Sequence, residues 1–219
     1  MSDKPSYQSR VTYQSALLGG VATLSAILLL LANITTKDAI AQRHAEDMQK
    51  SLLQVVPSGL HDNNLLDNQI SIQYQGKVIN VYRGTKNNTI TALAYQISGN
   101  GYGGEIQLLM SVDSKGDILG VRVLSHSETP GLGDKIEAEK TPWILSFNGL
   151  SLTNTEDSKW AVKKDGGIFD QFSGATITPR GVVKAVKTGL DFFQDNKSEL
   201  LAYSSKQTGT VSKPTHKDK

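Results

Sequence analysis

The chain has 219 residues, 38% of them hydrophobic, which suits one domain of ordinary size and is too little apolar content for a polytopic membrane protein. Lys and Arg number 23 against 21 Asp and Glu, a net charge of +2, so no chain-wide basic field points to nucleic acid. The lack of cysteine excludes disulfides, thiolate metal sites, iron–sulfur ligation and a cysteine nucleophile within this chain.

Residues 1–10 form a short tail containing Lys4 and Arg10. From Val11 to Thr36 there is no charged side chain, and a bilayer core needs about 20 largely apolar residues as a helix, so 11–36 is predicted to span a membrane. The run is longer than the apolar core of a signal peptide, roughly 7–15 residues, and no small-x-small cleavage signal closes it. A retained anchor in the lipid bilayer is therefore expected. Lys37 and Arg43 after the span nearly balance Lys4 and Arg10 before it, so the positive-inside comparison is close to a tie. A short tail followed by a long domain favours a cytoplasmic N-terminus with the main domain outside. Residues 37–57 are predicted to continue as a helical stalk, because Ala41, Ala45, Met48, Leu52 and Val55 recur at helical spacing until Pro57. That stripe is expected to pack on the domain.

The domain is expected over 58–203. Five short β-rich runs open it: Ile70–Tyr74, Val78–Tyr82, Ile90–Tyr95, Ile106–Val112 and Ile118–Leu124. Gln75-Gly76 and the stretch from Asp113 to Gly116 are hairpin-like links, which predicts an antiparallel meander with one face covered. Helical segments follow, the clearest over Pro179–Asn196 with Val182, Val186, Leu190 and Phe193 on one stripe. The fold class is α+β: one anchor helix, then a mostly antiparallel sheet with packed helices. Residues 204–219 have a single large aliphatic residue, Val211, with four lysines against one aspartate, and are predicted to be a disordered basic tail.

Ordinary catalytic sites are poorly represented. The four histidines are His44 in the stalk, His61 at the domain entrance, His126, and His216 in the tail. A Ser/His/Asp hydrolase would have to use His126 or His61, and Ser173 lacks the Gly-x-Ser-x-Gly elbow. His126, Glu128 and Asp134 contain metal-ligating types but read more simply as polar loop residues, so no metal is expected. The glycines from Gly99 to Gly104 match neither a Walker loop nor a dinucleotide fingerprint; they license a turn, or close backbone approach to a ligand.

The informative segment is Asp170-Gln-Phe-Ser173-Gly174-Ala175-Thr176-Ile-Thr178-Pro179-Arg180. Thr178 before Pro179 predicts a helix start, threonine as N-cap and proline at the first helical position. Thr176 then lies just upstream of a helix N-terminus, where unpaired N–H groups and the positive dipole end favour a phosphate, and Arg180 is placed to add a charge-assisted contact. Gly174 and Ala175 keep the approach to Thr176 sterically open.

At these residues the sequence resembles a known family. Asp170-x-x-Ser173-Gly174-Ala175-Thr176 is similar to the signature at which a flavin transferase joins FMN, through its phosphate, to the final threonine. His126-Ser-Glu-Thr-Pro-Gly-Leu-Gly133 resembles the glycine-bearing loop near the flavin in the same FMN-binding domain family, and Gly101-Tyr-Gly-Gly104 is similar to a third landmark. With its anchor, the chain resembles the G-type subunits of Rnf electron-transport complexes. The resemblance implies FMN covalently held by a phosphoester on Thr176. It makes Asp170, Ser173, Gly174, Ala175, Thr178, Glu128, Thr129, Leu132 and Gly133 cofactor-binding residues. It further implies a periplasmic domain on the bacterial inner membrane, electron relay between other Rnf membrane subunits, and maturation by a flavin transferase. No catalytic residue is implied, because the flavin carries the electrons. The anchor window holds no carboxylate or basic side chain for an ion path, so any part in ion translocation is indirect. Three alternatives stay open at this point. One is a C-type subunit of a Na⁺-translocating NADH:quinone reductase, another a flavin-free membrane-tethered binding domain, and the third a membrane-bound hydrolase using His126 or Ser173.

Overall fold

Period-two alternation gives each β-rich run two faces, and two-residue turns with left-handed backbone fold the runs back on one another. The computed structural model describes residues 11–202, and its strands are β1 (Gln69–Tyr74), β2 (Lys77–Lys86), β3 (Thr89–Asn100), β4 (Glu105–Asp113) and β5 (Ile118–Ser125). They form one antiparallel sheet in the order β1-β2-β3-β4-β5, so the predicted meander and the α+β class hold. Gln75 and Gly76 turn β1 into β2 with φ of 48° and 78°, and Asn87 and Asn88 turn β2 into β3 with 51° and 59°. Asp113 Oδ1 accepts the N–H groups of Lys115, Gly116 and Asp117 at 2.8–2.9 Å, which closes the turn from β4 to β5. The expected tails at 1–10 and 204–219, with Lys4, Arg10 and His216, lie outside the described residues.

The chain divides into two units, residues 1–48 and 49–219. Helix α1 (Val11–Val55) supplies all that is described of the first unit, and its residues from 49 onward belong to the second. Its stretch Val11–Lys37 has a mean hydropathy of 2.2 and no burial within the protein, and among the described residues it is the one helix long and apolar enough to cross a membrane. Hydroxyls inside it bond back to the helix: Thr23 Oγ1 donates to Gly19 O at 2.8 Å and Thr36 Oγ1 to Ala32 O at 2.7 Å. Further along, Ala45 is exposed while Leu52 and Val55 are fully buried, so the expected packing stripe is confined to the last turns.

In the second unit both faces of the sheet are covered, where the sequence predicts only one. On one, Leu52, Val55 and Val56 are buried, and Ser111 Oγ donates to Val55 O at 2.5 Å. The other carries helix α2 (Ile177–Leu200), whose stripe of Val182, Val186, Leu190 and Phe193 is buried as predicted. The Tyr95 hydroxyl donates to Gly189 O at 2.8 Å, and its ring meets Phe192 edge-on at 5.1 Å. Gly99 and Gly181 allow α2 and β3 to approach one another backbone to backbone. A Cβ on Gly99 would lie 2.6 Å from Gly181 O, and one on Gly181 would lie 2.1 Å from Asn100 O. Gly99 is therefore required by helix–strand approach within β3, and the turn begins only after Asn100.

Between β5 and α2 the chain forms short 3₁₀ turns, over Gly133–Ile136, Pro142–Phe147, Asp157–Lys159 and Lys163–Asp165. Aromatic packing consolidates this region: Phe147 stacks on Phe169 at 4.4 Å and Trp143 meets Phe172 edge-on at 5.1 Å. Trp143 Nε1 also donates to Asp170 O at 2.8 Å, which pins the segment that leads into α2.

Candidate functional site

Helix α2 begins at Ile177 with Thr176 as its N-cap residue, two residues earlier than the Thr178-Pro179 pair predicts. Proline fits here because Pro179 is the third helical residue, still within the first turn, where N–H groups have no intrahelical acceptor. The same rule leaves the N–H groups of Ile177 and Thr178 without helical partners, and Arg180 N makes the first helical bond, to Thr176 O at 3.4 Å. The half-buried Thr176 side chain makes no capping bond of its own, so its hydroxyl is available at the positive end of α2. Gly174, with φ of 81°, takes the left-handed turn just before it.

Thr178 is fully buried and turns away from this helix end. Its Oγ1 donates to Glu128 Oε2 at 2.5 Å. Glu128 Oε1 accepts Gly103 N–H at 2.9 Å, so one carboxylate, 6% exposed, joins the start of α2 to the turn between β3 and β4. Three glycines make room for it. A Cβ on Gly101 would lie 2.1 Å from Glu128 Oε1, one on Gly133 2.5 Å from Oε2, and one on Gly103 2.0 Å from Ser127 O. Behind Glu128, its own N–H donates to His126 Nδ1 at 3.0 Å. That bond leaves the His126 proton on Nε2, which contacts Glu137 Oε1 at 2.9 Å.

Lys140 closes the network, 2.6 Å from Asp134 Oδ2 and 3.0 Å from Glu137 Oε1. Its ammonium holds the buried Asp134 carboxyl below the ordinary carboxylate value, helped by a backbone N–H bond. The His126 hydrogen bond and then Lys140 do the same for Glu137, and the two carboxylates in turn raise Lys140.

Beside this network lies a cavity of about 300 Å³. It brings Glu128, Thr129, Leu132 and Gly133, from the loop after β5, against Gly174, Ala175 and Thr176 at the start of α2. Tyr102, from the β3–β4 turn, and Ile177 complete the lining. Neither has a predicted role: in Gly101-Tyr-Gly-Gly104 the expectation rests on the glycines and the motif as a whole, and Ile177 reads as part of a helix approach. Three expected residues stand elsewhere. Thr178 is behind the wall on Glu128, Ser173 is exposed outside the lining, and the Asp170 side chain pairs with Lys163 at 2.6 Å. Arg180 differs from expectation too, because its Nε and NH2 bind both oxygens of Asp165 at 2.6 and 2.7 Å. This bidentate pair commits the guanidinium to a carboxylate, so the anion-attracting element next to Thr176 is the helix end.

The remaining alternatives fare differently. His126 has both ring nitrogens engaged, by Glu128 N–H and by Glu137, which leaves none to activate a serine. A larger groove of about 370 Å³ between the β1–β2 hairpin, β3, β4 and α2 contains none of the motif residues. The cavity beside Thr176 is the candidate site, and its residues suit a phosphorylated planar ligand. It offers a free hydroxyl and unpaired N–H groups at a helix end, with apolar Tyr102, Leu132 and Ile177 around them.

Comparison with known proteins bears on the same residues. The FMN-binding domain family matches residues 101–191, a range that contains the whole cavity lining. The G-type subunit of an ion-translocating oxidoreductase complex from Cereibacter sphaeroides is 47% identical over 197 residues, covering 90% of either chain. A protein of the same description from Stutzerimonas stutzeri is 49% identical over 187 residues, covering 85% of this chain and 82% of its own. The crystal structure of NqrC from Shewanella oneidensis aligns at 23% identity and a TM-score of 0.44, over 68% of this chain and 76% of that one.

The network can be tested by substitution and by pH. Glu128→Ala removes the acceptor for two buried or half-buried donors, Thr178 Oγ1 and Gly103 N–H, and is expected to cost about 1–3 kcal/mol in urea unfolding. Glu128→Gln, which keeps the shape and one acceptor, should cost less; equal stability of all three proteins would show that the bridge contributes nothing. For Asp134 and Glu137 the folded pKa lies below the unfolded one, so the unfolded chain binds protons more readily. Their contribution is complete above the ordinary carboxylate range and is lost as pH falls through the lowered folded values. Between about pH 5 and pH 2 the melting temperature should therefore fall more steeply in the wild type than in Lys140→Met. Parallel profiles would contradict this.

Proposed function

The chain belongs to the family of G-type subunits of ion-translocating oxidoreductase complexes, and from that membership we propose that it carries FMN esterified through its phosphate to Thr176 and relays electrons within an Rnf-type complex. It is an FMN-binding subunit of such a complex, a part of an oxidoreductase. The observation that carries the finer reading is the position of Thr176. The residue is half-buried, its hydroxyl makes no capping bond at the N-terminus of a 24-residue helix, and it lines the cavity formed by the family-matched residues.

FMN supplies reversible one- and two-electron chemistry when bound. The chain's own residues position it. Ile177 and Thr178 present first-turn N–H groups toward a phosphate on Thr176, and the α2 dipole favours the negative charge there. Gly174 makes the left-handed turn two residues before Thr176, and the space beside it is uncrowded, with only the Leu132 side chain within 4 Å of where a Cβ would stand, at 3.6 Å. Glu128 bonds both the β3–β4 turn and the helix start, which ties two walls of the cavity to the segment that carries the attachment residue. An ester through the phosphate leaves the ring to be tuned by this noncovalent wall. No residue here has to act as acid, base or nucleophile in turnover.

The apolar stretch Val11–Lys37 anchors the subunit in the cytoplasmic membrane in this reading, N-terminus inside and domain in the periplasm. A covalent bond would then keep the cofactor from diffusing away. Electrons would reach it through other membrane subunits of the complex, out of reach of soluble cytoplasmic donors. The span contains no carboxylate, histidine, lysine or arginine between Val11 and Thr36, which supports an indirect part in ion movement.

The test is the intact mass of the full chain coexpressed with a flavin transferase, beside Thr176→Val, with in-gel flavin fluorescence after denaturation. The wild type should gain one FMN less one water and Thr176→Val nothing. An unmodified wild type beside a labelled control substrate, or a labelled Thr176→Val, would overturn the attachment.

A further inference from the structure

We propose that Tyr102 is the residue on which the planar ring of the bound cofactor stacks, an assignment that rests on the flavin reading above. From residue 49 onward seven large hydrophobic side chains are exposed among the described residues, and three of them, Tyr102, Leu132 and Ile177, line the cavity that holds Thr176. Their exposures are 75%, 42% and 48%. Exposed apolar groups scattered singly call for no explanation, whereas three that converge from three different segments on one cavity mark a binding surface for an apolar ligand.

Tyr102 differs from the other two in how it is held. The backbone on either side is fixed: Gly101 N donates to Gly104 O at 2.8 Å, and Gly103 N to Glu128 Oε1 at 2.9 Å. Pressed against Ser127 and Glu128, the turn admits only hydrogen at positions 101 and 103. Among the described residues, the side chain between them packs against no other aromatic ring and makes no hydrogen bond. A rigid turn that presents one large, exposed aromatic at a cavity is pre-organised for stacking, because the ordering cost has been met in the folded chain. Leu132 also lines the cavity, its side chain 3.6 Å from where a Cβ on Gly174 would stand, so the ring of a ligand tethered at Thr176 would meet both a flat aromatic and an aliphatic face.

The experiment separates ring stacking from attachment by using two probes on the full chain in detergent. In the Thr176→Val background, which cannot form the ester, riboflavin is titrated as a probe that has the ring without the phosphate. Tyr102→Phe should bind it as the parent does, and Tyr102→Ala on the order of tenfold more weakly. In chains loaded at Thr176, iodide quenching of flavin fluorescence should be several-fold more efficient for Tyr102→Ala than for wild type or Tyr102→Phe, with the mass of each confirming one FMN. Melting curves of the unloaded variants should coincide, since the side chain makes no bond within the domain. If loaded Tyr102→Ala shows wild-type iodide access and the riboflavin affinities are equal, the stacking assignment is wrong while the flavin reading stands. If the wild type acquires no FMN and no variant binds riboflavin, both fall together.

Discussion

A buried carboxylate must be fully bonded or it destabilises the fold, and Glu128 meets that requirement by joining segments far apart in sequence. One oxygen takes the Thr178 hydroxyl from the first turn of α2, and the other takes Gly103 N–H from the turn between β3 and β4. Much follows from this. Glycine is required at 101, 103 and 133 because the carboxylate and its loop fill the space a side chain would need. Thr178 is drawn inward, so the helix starts at Ile177 and leaves Thr176 at its cap with a free hydroxyl. Tyr102, between two of those glycines, is set at the rim of the cavity.

Charge around the site is arranged by pairing. Arg180 is taken by Asp165, Lys163 by Asp170, and Lys140 by Asp134 and Glu137. With these cations committed, the attraction for an anion at Thr176 comes from oriented backbone, which is fixed in place and needs no side chain to reorganise. Such a site suits a ligand bound once and kept. The apolar residues around it suit a ring whose electronic properties are to be set by surroundings and left unaltered by the tether.

The sheet was legible because its signals are local. Alternation in runs such as Ile70–Tyr74 and the Gln75-Gly76 turn identify strands and their pairing from adjacent residues. The stripe of α2 was legible for the same reason. What escaped depends on partners distant in sequence. Thr178 looks like a cap until Glu128, fifty residues earlier, is known to accept its hydrogen bond. Arg180 looks free for phosphate until Asp165 is seen beside it. Gly99 reads as turn until α2 is laid across it. Glu128 could be read either as a flavin neighbour or as a residue that holds its loop; it lines the cavity and also ties the loop down. A weak signal for Tyr102 did exist, since a lone large aromatic among three glycines is poorly explained by turn chemistry alone.

If Thr176, the helix end behind it and the Tyr102–Leu132 walls form one flavin site, a crystal structure of the flavin-loaded chain will show it. Continuous density is expected from Thr176 Oγ1 to a phosphorus atom that faces the N–H groups of Ile177 and Thr178, with the isoalloxazine ring against Tyr102 and Leu132. Density for FMN at another residue, or a ring lying in the groove between the β1–β2 hairpin and α2, would contradict it.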